Sequence, residues 1–307
     1  MTQTTDPRAT LSSSGSTKGL DEPIAELETF EFENLPPQEV TAAGSKTWFV
    51  RGQNLIVGFS RVTAGDTLAR PETQSGEYFV LLAQDSLTVT VTAGGQREDV
   101  AGRAAIIVPP GASSVTARSD MEVIRLFDIQ EKDLAEKCSN AASYAEPHPR
   151  VAPLEPWPEP KGGYKLRVYR CDDYPRVEGR LGRIFRTRTI MVNFGDPREV
   201  PRNPNAMSPH HHDDFEQCSL TVLGDYVHHV RTPWTKRLGD WKEDQHELVH
   251  SPSAAIIPPP TVHTSQCISA GRNHLIDVFS PPRVDFSSKP GWVLNADEYP
   301  SPDTIGQ

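Results

Sequence analysis

Ala104-Ala105-Ile106-Ile107-Val108-Pro109-Pro110 and Ala254-Ala255-Ile256-Ile257-Pro258-Pro259-Pro260 are two versions of one phrase. Each is an apolar run stopped by prolines. Each is followed by a small-residue turn and a strand-like run, ending in Leu126-Phe127-Asp128 or Asp277-Val278-Phe279. Repetition at this length marks a duplicated unit. A short apolar run bounded by turn residues reads as a buried strand. Working outward, residues 47–50, 54–59, 77–82, 87–91 and 123–127 read as strands of the first copy. Residues 164–169, 189–193, 218–224, 226–230 and 274–279 read as strands of the second. With 28 prolines and 21 glycines, the chain is cut into pieces too short for long helices. The expectation is an all-β protein of two copies, with Glu77-Tyr78-Phe79-Val80 standing where Asp214-Phe215-Glu216-Gln217 stands in the second.

The 307 residues divide by composition. Residues 1–20 are rich in Thr, Ser and Gly and are expected to be a disordered tail. Residues 21–130 form the first β domain, and 131–163 a linker that starts helical and becomes proline-rich. Residues 164–282 form the second domain, and 283–307 an irregular tail that packs back over the β domains. The net charge of −10 argues against nucleic acid as a partner. No run approaches the ~20 apolar residues that span a membrane. Met1-Thr2-Gln3-Thr4-Thr5-Asp6-Pro7 has neither the basic nor the apolar part of a secretory signal. Cys138, Cys171, Cys218 and Cys267 are scattered without a CxxC pair, so a disulfide framework is not expected and a cytoplasmic location is.

The two copies differ in their chemistry. All ten histidines lie between His148 and His274, none of them in the first β domain. In the second, His210-His211-His212-Asp213-Asp214-Phe215-Glu216 would place His210, His212 and Glu216 on one face if the stretch is extended. With His263 from a neighbouring strand they make an N/O ligand set for iron, manganese, nickel or zinc. Glu216 is read as a ligand, with a role as base the alternative; His211 replaces one imidazole if the strand carries a bulge. At these places the first copy offers Thr73-Gln74-Ser75, and Ser113 or Ser114. It is therefore expected to hold no imidazole-ligated metal. His228 or His229 must face inward, flanked by Tyr226 and Arg231; these four are candidates for proton transfer or substrate contact. Cys218 shares the parity of Glu216 and is read as a packed thiol. Trp234 and Trp241 sit in a long loop, as a cap over an aromatic substrate or as packing. Asp277 is a candidate to orient a ligand imidazole.

This pattern resembles the cupin superfamily, whose motifs are G-x5-H-x-H-x3,4-E-x6-G and G-x5-P-x-G-x2-H-x3-N. His210-x-His212-x3-Glu216 and Pro258-x4-His263 match their cores. Gly224 comes one residue late after Glu216. Pro252, Pro260 and Cys267 replace the second motif's first Gly, second Gly and Asn. The resemblance implies a bicupin, two jelly-roll barrels with metal only in the second, and His210, His212, Glu216 and His263 as ligands. Ring-cleaving bicupins acting on gentisate, hydroquinone or flavonols imply an Fe(II) dioxygenase that uses O2 to cleave a C–C bond in a small phenolic substrate, a role in aromatic catabolism. The alternatives are an Mn, Zn or Ni isomerase or decarboxylase of a sugar or keto acid, and a binding bicupin without turnover. A homo-oligomer is expected, with a heteromer containing a second subunit the other arrangement.

Overall fold

The computed structural model describes residues 22–302 except residue 237; the expected N-terminal tail lies outside the described residues. Four antiparallel sheets build two barrels. The first barrel has a seven-stranded sheet in the order Arg167–Arg170, Ala104–Val108, Tyr78–Leu82, Met121–Asp128, Leu55–Val62, Lys46–Arg51, Glu39–Val40. It closes on a four-stranded sheet, Thr67–Arg70, Ser113–Ala117, Thr88–Ala93, Gln96–Ala101. In the second barrel the large sheet runs Glu28–Glu31, Ser253–Ile257, Gln217–Leu223, His274–Phe279, Met191–Phe194, Arg183–Arg186. Its small sheet is Gln245–His250, Asp225–Arg231, Val262–Cys267. This is the all-β, two-barrel architecture the repeat predicts.

The large sheets are buried on both faces, which is why their strands read as continuous apolar runs. In Tyr78–Leu82, Tyr78, Val80 and Leu82 fill the first barrel with Ile106 and Val108. Phe79 and Leu81 face the other way and pack against Cys218, Leu220, Ile256 and Val278 of the second barrel. Each such side chain contributes about 1.5–3 kcal/mol relative to exposure, so this shared layer, rather than the linker, holds the barrels together.

The sequential division into 21–130 and 164–282 is crossed twice. Glu28–Glu31 precedes the first barrel but pairs with Ser253–Ile257 of the second. Arg167–Arg170 follows the linker but pairs with Ala104–Val108 of the first. Each repeated strand thus has its outer edge covered by a strand from the other half, leaving fewer open backbone groups. The linker holds one short α-helix, Lys132–Ala135, and a 3-10 turn, Ala141–Tyr144. Its proline-rich part lies on the second barrel, with Ala152 N donating to Asp214 O at 2.7 Å and Trp157 N to Arg188 O at 2.9 Å. The C-terminal segment folds back as expected: Tyr299 is buried and its hydroxyl donates to Glu77 Oε1 at 2.6 Å.

The repeated phrase is one residue out of step in space. Ala105 and Ile107 face the inter-barrel layer in the first copy, whereas Ala254 and Ile256 do so in the second. Phe79 pairs with Ile107 and Leu126, as Cys218 pairs with Ile256 and Val278. Glu77 therefore corresponds to Glu216 and Tyr78 to Gln217, two residues from the sequence alignment. Ser113 pairs with Arg70 as His263 bridges His210. The first barrel fills these places with the Tyr78 hydroxyl, 2.9 Å from Ser113 Oγ, and the Arg70 guanidinium, which donates to Glu131 and Asp133.

Candidate metal centre

The second barrel's interior carries imidazoles where the first carries Tyr78, Ser113 and Arg70. His210 forms a backbone bridge to His263, with His263 N donating to His210 O at 2.8 Å and His210 N to His263 O at 3.1 Å. Asp213 and Asp214 then bend the chain, and regular strand resumes only at Gln217. His210, His212 and His263 meet inside the barrel, their ligand atoms all within 4.8 Å of one another. His212 stacks on Phe215, ring centroids 4.5 Å apart, and meets Phe279 edge-on. Burial, then the Arg283 guanidinium and the two other imidazoles, push its pKa well below the usual imidazole value, so it is a neutral donor.

Glu216 does not join them, contrary to the sequence expectation. The bends at 213–214 break the period-2 count, so the parity of His212 is not carried to residue 216. Glu216 shares a face with Cys218, toward the first barrel, where Cys218 is a packed thiol as expected. Its Oε2 accepts from Gln53 N at 2.6 Å and its Oε1 from the Tyr144 hydroxyl at 3.1 Å. His148 Nδ1 lies 3.3 Å from Oε1, and this carboxylate holds His148 above the usual imidazole range.

Gln217 takes the inward place. Its Oε1 lies 3.0 Å from His212 Nε2 and 3.3 Å from His263 Nε2. Its Nε2 donates to Ser219 Oγ at 3.0 Å and Asp277 Oδ1 at 3.1 Å, while Ser219 Oγ donates to Asp277 Oδ1 at 2.8 Å. This network fixes which end of the amide faces the imidazoles. Asp277 thus holds the Gln217 amide in place.

These residues fit a divalent cation. His210 Nδ1 and His263 Nδ1 face the carbonyl oxygens of Ser208 and Thr261, each at 3.0 Å. A carbonyl only accepts, so both Nδ1 atoms carry protons and both Nε2 atoms are acceptors in the neutral ring. His263 Nε2 and Gln217 Oε1 then oppose acceptor to acceptor, an arrangement that a cation between them resolves. Metal–ligand bonds of about 2.0–2.2 Å put neighbouring donors about 3.0–3.5 Å apart, which is the spacing of Gln217 Oε1 from the Nε2 atoms of His212 and His263.

The remaining candidates separate by strand parity. His228 faces inward, paired with Ser265 beside the His263 position; it is 1% exposed, and its Nδ1 lies 2.9 Å from Ser265 Oγ. Its Nε2 is buried with no hydrogen-bond partner among the described residues. Tyr226 also points inward but packs with Val249 and Cys267. His229 and Arg231 lie on the outer face, correcting their assignment: His229 Nδ1 meets His246 Nδ1 at 2.8 Å, and Arg231 is ion-paired with Asp244. His211 points outward to Asp213 and does not replace a ligand. Trp234 and Trp241 stack on each other at 4.3 Å, both exposed, instead of capping the cluster.

Burial pushes His228 and His274 down to about 4, so both fold uncharged. Histidine in an unfolded chain titrates near 6.5. Between these values the unfolded state binds more protons, so stability present above pH 6.5 is lost as pH falls toward 4. Ring-proton NMR of the metal-free protein reads this directly: the His228 and His274 rings are expected to stay neutral in the folded state down to about pH 5, and either ring titrating near 6.5 would refute neutral burial.

No protein-family model matches the chain, and no curated protein matches its sequence. Solved structures do match in fold. A variant oxalate decarboxylase of Bacillus subtilis superposes with a TM-score of 0.56 at 12% identity, covering 85% of this chain and 79% of that one. An oxalate decarboxylase structure concerned with substrate binding mode and reaction specificity gives 0.57 at 13%, covering 86% and 80%. A third, addressing the Mn(II) centres of the Bacillus subtilis enzyme, gives 0.50 at 14%, with the same coverages of 86% and 80%. At such identities the likeness is one of fold, that of the two-barrel cupins. These neighbours are decarboxylases, so they lend no support to the expected kinship with ring-cleaving dioxygenases. Among the described residues, no helix is long and apolar enough to cross a membrane.

Proposed function

We propose that this chain is a metal-dependent lyase that decarboxylates a small carboxylic acid, with a manganese ion held by His210, His212, His263 and Gln217. The observation that carries the reading is the trio of imidazoles, His212 and His263 buried and His210 half-buried, with the Gln217 amide oxygen facing His212 and His263. The structural neighbours are oxalate decarboxylases with Mn(II) centres, which favours manganese over iron and decarboxylation over ring cleavage. The bound ion would polarise a substrate oxygen and offset the negative charge that develops as CO2 leaves. The chain supplies the rest. The Ser208 and Thr261 carbonyls orient two rings, and Asp277 with Ser219 orients the amide. Phe215 and Phe279 keep water from the flank of His212. Decarboxylation replaces CO2 by a proton, which water supplies. His228, neutral and on the strand paired with Val262–Cys267, would donate a hydrogen bond to substrate from Nε2 while the Ser265 hydroxyl donates to Nδ1.

The test is elemental analysis of untagged protein, then CO2 release from oxalate and small 2-oxo acids after manganese loading. About one metal per chain and CO2 release without net oxygen consumption are expected. Oxygen uptake with diphenols and no CO2 from small acids would restore the ring-cleaving reading. Protein that takes up no metal, even anaerobically, would leave a binding role.

A further inference from the structure

The donor set carries no charge of its own. Imidazoles are neutral donors, and the group opposite them is an amide where the cupin pattern has a carboxylate. Among the described residues, no carboxylate oxygen belongs to the cluster. Glu216 is turned toward Gln53 and Tyr144, and Asp213 lies beside His211. A negative charge is nevertheless present one layer back. Asp277 Oδ1 accepts from the amide's Nε2, which polarises the carbonyl oxygen aimed at the imidazoles. Arg283 on that side is ion-paired with Asp285, so it adds no net charge there.

We propose, resting on the metal reading above, that Gln217 backed by Asp277 sets substrate charge: the bound divalent ion keeps its double positive charge, and the site selects a small dianionic dicarboxylate. A glutamate at 217 would cancel half of that charge at the ion itself. Because attraction between an anion and a metal centre follows the centre's net charge at short range, the amide strengthens substrate binding. The same neutrality weakens the protein's own hold on the metal. The two effects carry opposite signs, a pattern that loss of packing does not produce.

The test is the charge-swapped variant Gln217→Glu/Asp277→Asn, which keeps the pocket's total charge and nearly its shape. Two affinities are measured by titration calorimetry: Mn(II) for the metal-free protein and oxalate for the Mn(II)-loaded protein. The swap is expected to bind Mn(II) at least tenfold more tightly and oxalate at least tenfold more weakly. Unchanged affinities, or both moving in the same direction, would overturn the inference while leaving the metal reading intact. Wild type that takes up no divalent ion overturns both. If the double variant does not fold, Asp277→Asn alone decides: with Gln217 retained, oxalate is expected to bind as tightly as to wild type or more tightly, and a tenfold loss sinks the proposal.

Discussion

His263→Ala is expected to lower divalent-ion affinity more than about 100-fold, beyond the 10–100-fold typical of residues that only support ligands, and to abolish turnover. The fold should survive. The bridge between residues 210 and 263 is made by main-chain atoms, N to O in both directions, and the variant keeps them. The side-chain bond to the Thr261 carbonyl is lost, and an acceptor left under-satisfied costs little beside a buried orphan donor. The metal-free variant should therefore melt close to metal-free wild type. The difference should appear on adding Mn(II). An ion at a hundred times its Kd stabilises the native state by about 2.7 kcal/mol, and the variant should gain none of this. A variant that still gains the full increment would show that the ion binds elsewhere.

The fold was legible in the sequence because the two large sheets are covered on both faces, which makes each central strand a continuous apolar run. The same feature hid the register. A run such as Ala254-Ala255-Ile256-Ile257 gives no alternation to say which residues face the barrel and which face its neighbour, so the copies align by letter yet differ by one residue in space. The exchanged strands were not legible, because the pairing of Glu28–Glu31 with Ser253–Ile257 joins distant parts of the chain and leaves no local mark. The three histidines were legible from spacing. The fourth group had a signal that pointed away from Glu216: the late Gly224. Counting four residues after His212 instead of three puts Gln217 at the motif's acidic place and leaves six residues before Gly224, as the motif requires. His228 was resolved from His229 only by the pairing of its strand with Val262–Cys267.

Glu216 gives the sharpest opposition between the sequence reading and the structure. As a ligand, its loss would remove metal and spare stability. As it stands, buried between the barrels, it accepts from Gln53 N and the Tyr144 hydroxyl and lies beside His148. The fit is close: a Cβ on residue 52, where Gly52 has none, would come within 2.6 Å of its Oε2. Glu216→Ala leaves the Gln53 N–H and the Tyr144 hydroxyl without this acceptor, at roughly 1–3 kcal/mol per buried group. The expected result is a loss of about 3–5 kcal/mol in denaturant unfolding, with metal stoichiometry per folded chain unchanged. Glu216→Gln should fall between, since an amide oxygen can still accept from Gln53 N while the charge facing His148 is gone. His148, held above its usual range by that carboxylate, should then titrate lower, a shift that NMR of the ring protons would read. Metal lost from Glu216→Gln with unfolding unaffected would return Glu216 to the cluster and displace Gln217 from it.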